Sequence, residues 1–154
     1  MCLYTKDLKP LVAEEDIVCY KVLKYNFSSF QYVSPYHDEF YWNINSREPV
    51  EAKGEPVLCS CSRDSLDSKV VRCIEGGFFH TYQKEEDAKE LVDYKNTWKI
   101  FSVEYCLAEF IIPKGTEYYV GRYDYIDYGA HVTMEFGRDC YASKKLIFKK
   151  LLKK

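Results

Sequence analysis

A chain of 154 residues that is 47% hydrophobic and 17% aromatic, with 15 tyrosines, has the composition of one compact domain and favours an ordered globular protein over a disordered one. Its formal net charge of −2 conceals an asymmetry: the terminal stretch KKLIFKKLLKK carries a large share of the 22 basic residues and no acid, which leaves an acidic body. That body argues against broad nucleic-acid binding, because phosphate contacts need a basic surface, and the odd number of cysteines, 7, reads as reduced thiols of a cytoplasmic protein.

The opening MCLYTKDLKPLVAEED holds no apolar run of signal-peptide length, and no stretch of the chain approaches a membrane span. Ile17 to Leu23 is a strand candidate in which Cys19, Lys21 and Leu23 oppose Val18, Tyr20 and Val22, so Lys21 interrupts an apolar face and must reach an edge or a site. Phe27 to Val33 is expected to pair with it across a turn at Lys24-Tyr25-Asn26, and Ser34-Pro35-Tyr36-His37-Asp38 to break the second strand at its proline. Residues 43–56, with two prolines and a glycine, are expected as an exposed loop. Short strands follow at Val57 to Cys61 and Lys69 to Ile74, around the polar turn SRDSLDS.

The stretch Thr81 to Asn96 reads as the principal helix (about 82–95), with Ala88, Leu91 and Val92 on one face and Glu85, Glu86 and Asp87 near its positive end. Trp98 to Arg122 is the organising stretch: two strands joined at Pro113-Lys114-Gly115. Ala108, Phe110 and Ile112 lie on one parity of the first, Tyr105, Leu107 and Ile111 on the other. A strand apolar on both faces belongs inside, and a bulge is expected where Glu104 or Glu109 interrupts it. A strand from His131 to Phe136 and a last strand ending in a basic tip at 149–154 complete the chain. The fold class is α+β: a single domain, 1–154, of mainly antiparallel sheet with one principal helix packed on it.

The motifs of phosphate-cradling loops, nucleophile elbows, zincins and dinucleotide folds are missing from the sequence, which favours a binding or interaction protein over an enzyme. The enzymatic alternative centres on His80, placed between a glycine pair and the helix, with Tyr36 and Glu104 as companions in a nucleotide-directed transferase or a small hydrolase. The run EYYVGRYDYIDY suggests a stacking platform of Tyr118, Tyr119 and Tyr123, with Ser34 as a further binding candidate. Cys59, Cys61 and Cys73 are the candidate metal ligands, although Cys-x-Cys is tighter than structural zinc pairs usually are, so no metal and no cofactor is expected. A protein partner is favoured over nucleic acid or membrane.

The pattern CYKVL (19–23), SPY (34–36), GGFFH (76–80), IPKGTEYYVG (112–121) and CYASKKLIF (140–148) resembles a family of small proteins of gut bacteria and their phages. That resemblance implies a single domain and a phage or mobile-element accessory role, and it carries no catalytic residues across. The late Pro-x-Gly-Thr turn is also similar to that of ADP-ribosyltransferase-like folds, but the Ser-Thr-Ser strand and Glu-x-Glu pair of that pattern are missing here.

Overall fold

A computed structural model of the chain describes residues 3–7, 9–35, 37–53, 58–61, 71–74, 77–97, 103–123 and 138–153, with the backbone alone at 37–40, 58–61, 71–73, 123 and 153. Among these the strands are β1 (Leu3–Thr5), β2 (Leu11–Val12), β3 (Ile17–Asn26), β4 (Gln31–Ser34), β5 (His37–Trp42), β6 (Val50–Glu51), β7 (Leu58–Cys61), β8 (Val71–Ile74) and β9 (Phe79–Tyr82). Helix α1 (Glu85–Thr97) follows, then β10 (Val103–Ile112), β11 (Glu117–Tyr123), β12 (Arg138–Ser143) and β13 (Lys145–Lys153). The expected strand at 131–136, the tyrosine-rich run at 124–128 and the residues from Trp98 to Ser102 lie outside the described set.

The strands form one sheet in the order β6-β13-β10-β3-β9-β12-β11-β1-β8-β7, with β4 and β5 branching from β3 and β2 from β11. Every described pairing is antiparallel, and the sheet curls into a half-barrel with α1 against β3, β10 and β9. The expectation of a mainly antiparallel α+β domain with one principal helix agrees with this arrangement.

β10 sits between β13 and β3, and its two parities feed two separate cores. Leu107 joins Val22, Tyr82, Leu91 and Val92 under the helix. Cys106, Ala108, Phe110 and Ile112 join Leu23, Trp42, Leu146 and Phe148 on the other side, which we call the aromatic face. The bulge anticipated from the interrupting glutamates is present: the β10–β13 register shifts between Leu107 and Ala108 and again between Glu109 and Phe110. That second shift lets two consecutive lysines reach one carboxylate, with Lys149 Nζ 2.7 Å and Lys150 Nζ 3.3 Å from Glu109. The C-terminal lysines from 149 onward therefore begin as part of a paired strand rather than as a solvated tip.

Other boundaries differ from the sequence reading for local reasons. The strands joined at Pro113-Lys114-Gly115 are not partners, because β11 pairs with β12, β1 and β2. Their turn is braced instead by the 13–16 segment: Gly115 N–H donates to the Ala13 carbonyl at 2.8 Å, and Lys114 N–H to Asp16 Oδ1 at 2.9 Å. Gly115 takes φ 80°, the positive value that the third position of such a turn favours. Lys24, Tyr25 and Asn26 continue β3, and the turn falls at residues 27–30, where the Ser28 N–H bonds Asn26 Oδ1 at 2.9 Å. Pro35 forms a tight turn without ending the pairing, since Ser34 meets His37 across it.

The expected loop at 43–56 is partly structured: β6 pairs with β13, Ala52 is buried, and the Arg47 guanidinium lies 5.0 Å from the centre of the Phe148 ring. Residues 54–56 lie outside the described set. The helix begins later than expected because Thr81 and Tyr82 belong to β9, where both are buried and Thr81 pairs with Tyr141.

Candidate functional site

Strand alternation delivers the site. On β3, Cys19 and Leu23 point to the aromatic face, so the residue between them, Lys21, must do the same. The register sets Ala108 opposite Lys21, flanked by Phe110 opposite Cys19 and Cys106 opposite Leu23. A small residue at Ala108 leaves room for the long lysine stem. Trp42 touches Phe79 of β9 and Phe110 of β10, with ring centres 5.1 and 4.7 Å away, and so spans the intervening β3.

Under this cover Lys21 is 7% exposed, and its Nζ donates to the His80 carbonyl at 2.8 Å. An ammonium carries three donors, and among the described residues no carboxylate and no second acceptor meets this one. Burial lowers the Lys21 pKa from 10.5 to about 8, and the neighbouring Cys19 opposes that shift only weakly.

Cys19 is the hub of the surrounding polar groups. Burial pushes its thiol up to about 12, against the opposing effects of Thr81 and Lys21, so it is a neutral thiol rather than a nucleophile at ordinary pH. The Thr81 hydroxyl and the Cys19 thiol are close enough to influence one another, in a geometry too poor for an ordinary hydrogen bond. Ser143, fully buried between Tyr118 and Phe79 in the register, makes no hydrogen bond through its Oγ. Tyr141 is raised by burial, then by Tyr118 and Cys19, and its ring meets Tyr118 edge-on with centres 5.8 Å apart. Phe79, Tyr118 and Tyr141 are only half-buried, so this side of the face reaches solvent.

The residues singled out in sequence are distributed differently from what an enzyme would need. His80 shares its parity with Phe78 and Tyr82, both in the core beneath the helix, and lies opposite Ala142 of that same core. Glu104 has the other parity on β10, opposite Tyr25, and lies near enough to the aromatic face to add, after burial, Cys106 and Tyr25, to the raised pKa of Tyr32. The imidazole and the carboxylate are thus on opposite sides of the sheet, and it is the carbonyl of His80 that reaches the site. Tyr36 lies outside the described residues.

Tyr118 belongs to the aromatic face, whereas Tyr119 is buried on the helix side with its ring 5.7 Å from Phe78, so the two do not form one stacking platform. Tyr123 is described by its backbone alone, and Ser34 sits half-buried at the β4–β5 turn. The β7–β8 register sets Cys59 against Cys73, while the side chains of Cys59, Cys61 and Cys73 lie outside the described set.

Lys21 was visible in sequence as the one charge within IVCYKVL. Thr81 was hidden by its assignment to the helix, and Ser143 and Tyr141 by their lack of any motif. No protein-family model, curated protein or solved structure matches the chain, so the functional reading rests on this geometry.

Proposed function

We propose that this is a non-enzymatic binding protein that holds a ligand, or a side chain of a partner, against the aromatic face at Lys21. The observation that carries the reading is a buried ammonium bonded to a single carbonyl, on the face of the sheet that also carries the buried hydroxyls of Thr81 and Ser143, which have no ordinary hydrogen bond. Burying such a charge without a counter-charge costs several kcal/mol, and a fold carries that cost where something compensates it. A bound anionic or hydrogen-bonding group would do so.

The separation of His80 from Glu104 by the sheet weighs against the transferase or hydrolase alternative, which requires both groups in one cleft. An accessory role in a phage or mobile element, implied by the resemblance of the GGFFH and IPKGTEYYVG segments, is compatible with a binder and adds no catalytic group.

The test is a thermal-shift screen of the intact chain against small acids, sugars, nucleotides and short peptides, because a ligand that binds only the folded state raises the melting temperature. At least one class is expected to raise it, by an amount that falls away in Lys21→Met. Shifts that persist unchanged in that variant, or a screen without any shift, would overturn the assignment of the site.

A further inference from the structure

Resting on the binding reading above, we infer that the ligand is a monocarboxylate with an apolar body, its carboxylate on the Lys21 ammonium and its body against the aromatic side chains. The charge balance selects the head group. Lys21 supplies one positive charge at this position, which a carboxylate neutralises, whereas a phosphate dianion would leave a negative charge in low dielectric. A carboxylate also accepts several hydrogen bonds at once, and the remaining N–H groups of Lys21 supply donors, with the unbonded hydroxyls of Thr81 and Ser143 on the same face of the sheet. The walls select the rest of the molecule. The half-buried rings of Phe79, Tyr118 and Tyr141, backed by the buried Trp42 and Phe110, offer the surface on which an aliphatic chain or an aromatic ring replaces water.

The same geometry predicts when binding stops. Cys19 neighbours Lys21, and the other titratable or charged groups on its side of the sheet are Tyr25 from β3, Cys106 and Glu104 from β10, Tyr32 from β4, Tyr118 from β11, Tyr141 from β12 and Arg47 over Phe148, while α1 packs on the opposite side. Burial raises Cys19, Tyr32 and Tyr141, so these hydroxyls and this thiol stay neutral through the range in which Lys21 loses its proton, near pH 8. Carboxylate affinity therefore falls as pH rises through that value, and a neutral analogue of the same shape does not follow it.

The experiment is calorimetric titration of the full chain with octanoate and 4-phenylbutyrate, each beside its alcohol, at pH 6.5 and pH 9.5. The acids are expected to bind at least tenfold more tightly than the alcohols at the lower pH and to lose that advantage at the higher one. Lys21→Met should show no advantage at either pH, and Lys21→Arg, which keeps a charge at every pH, should retain acid binding at pH 9.5. Equal, pH-independent binding of acids and alcohols would overturn the carboxylate inference while leaving a binding site on the aromatic face. Binding by none of the four probes overturns the monocarboxylate inference as well. A Lys21-dependent thermal shift from another class would then keep the binding reading, and its absence would remove both.

Discussion

The two faces of this sheet differ in how their polar side chains are held. Beneath the helix, two polar side chains tie neighbouring elements together. Asn96 receives the Tyr105 N–H at 3.0 Å and donates to the Tyr105 carbonyl at 2.8 Å, which completes the end of β10 as a neighbouring strand would. Arg138 ties β12 to the helix through the Asp87 carbonyl and the Glu90 carboxylate, each at 2.8 Å. On the aromatic face Lys21 has one partner and Ser143 none among the described residues. Satisfied polar groups stabilise a fold, and buried unsatisfied ones are a cost that function can explain. The helix side thus holds the sheet in shape, and the proposed binding site lies on the other side.

Core truncation is the strongest way to break this contrast. Leu107, 1% exposed and packed under the helix, should cost roughly 2–5 kcal/mol as Leu107→Ala, through lost burial and the cavity left behind. Denaturant unfolding measures this loss, and while the variant stays folded its Lys21-dependent ligand response should be unchanged. Lys21→Met should have the reverse sign. It removes a poorly compensated charge while keeping the volume, and should raise the stability of the unliganded chain by about 2–3 kcal/mol at pH 7.

The sign follows from linkage. The folded pKa of Lys21, about 8, lies below its ordinary 10.5, so the unfolded chain binds more protons between these values. Wild-type stability relative to Lys21→Met should therefore rise across pH 8 to 10.5, and a difference that stays flat would mean that Lys21 is not held in low dielectric.

Much of this contrast is legible in the sequence. The double parity of β10 foretold two cores, because a strand apolar on both faces needs something on each, and Lys21 announced itself by breaking an otherwise apolar alternation. What could not be read was adjacency. The turn at residues 113–116 looks like a hairpin in sequence, yet it sends β11 to distant partners, since a turn fixes chain direction and not which edge a strand finds. His80 attracted attention for its imidazole, but the register turns the ring under the helix and leaves its carbonyl to the site. Thr81, Tyr141 and Ser143 meet Lys21's surroundings only through pairings that span much of the chain, and such pairings leave no local trace.

Two smaller perturbations sharpen the comparison. Burial alone would raise the pKa of Glu109, but hydrogen bonds from Lys149 and Lys150 outweigh it and hold the carboxyl below its ordinary 4.5. Its contribution is present above that value and is lost as pH falls through the lowered one. Glu109→Gln should cost about 1–2 kcal/mol near neutral pH and progressively less in acid, as pH-dependent denaturant unfolding would reveal. Glu109 lies on the helix side of β10, opposite Tyr20, so this variant should leave the ligand response alone.

Gly115→Ala tests a position that belongs to neither face. A methyl group there meets nothing within 4 Å, so the only penalty is the backbone at φ 80°, worth roughly 1 kcal/mol. That is a fall of about 2–4 °C in melting temperature for a chain of this size. The turn joins β10 to β11, and β11 brings Tyr118 to the site, so the variant also asks whether the site depends on how firmly that connection is held. A lowered melting temperature with an intact Lys21-dependent shift would show that sheet pairing alone sets the position of Tyr118. A loss of both would make the turn, braced by Ala13 and Asp16, part of what positions the site.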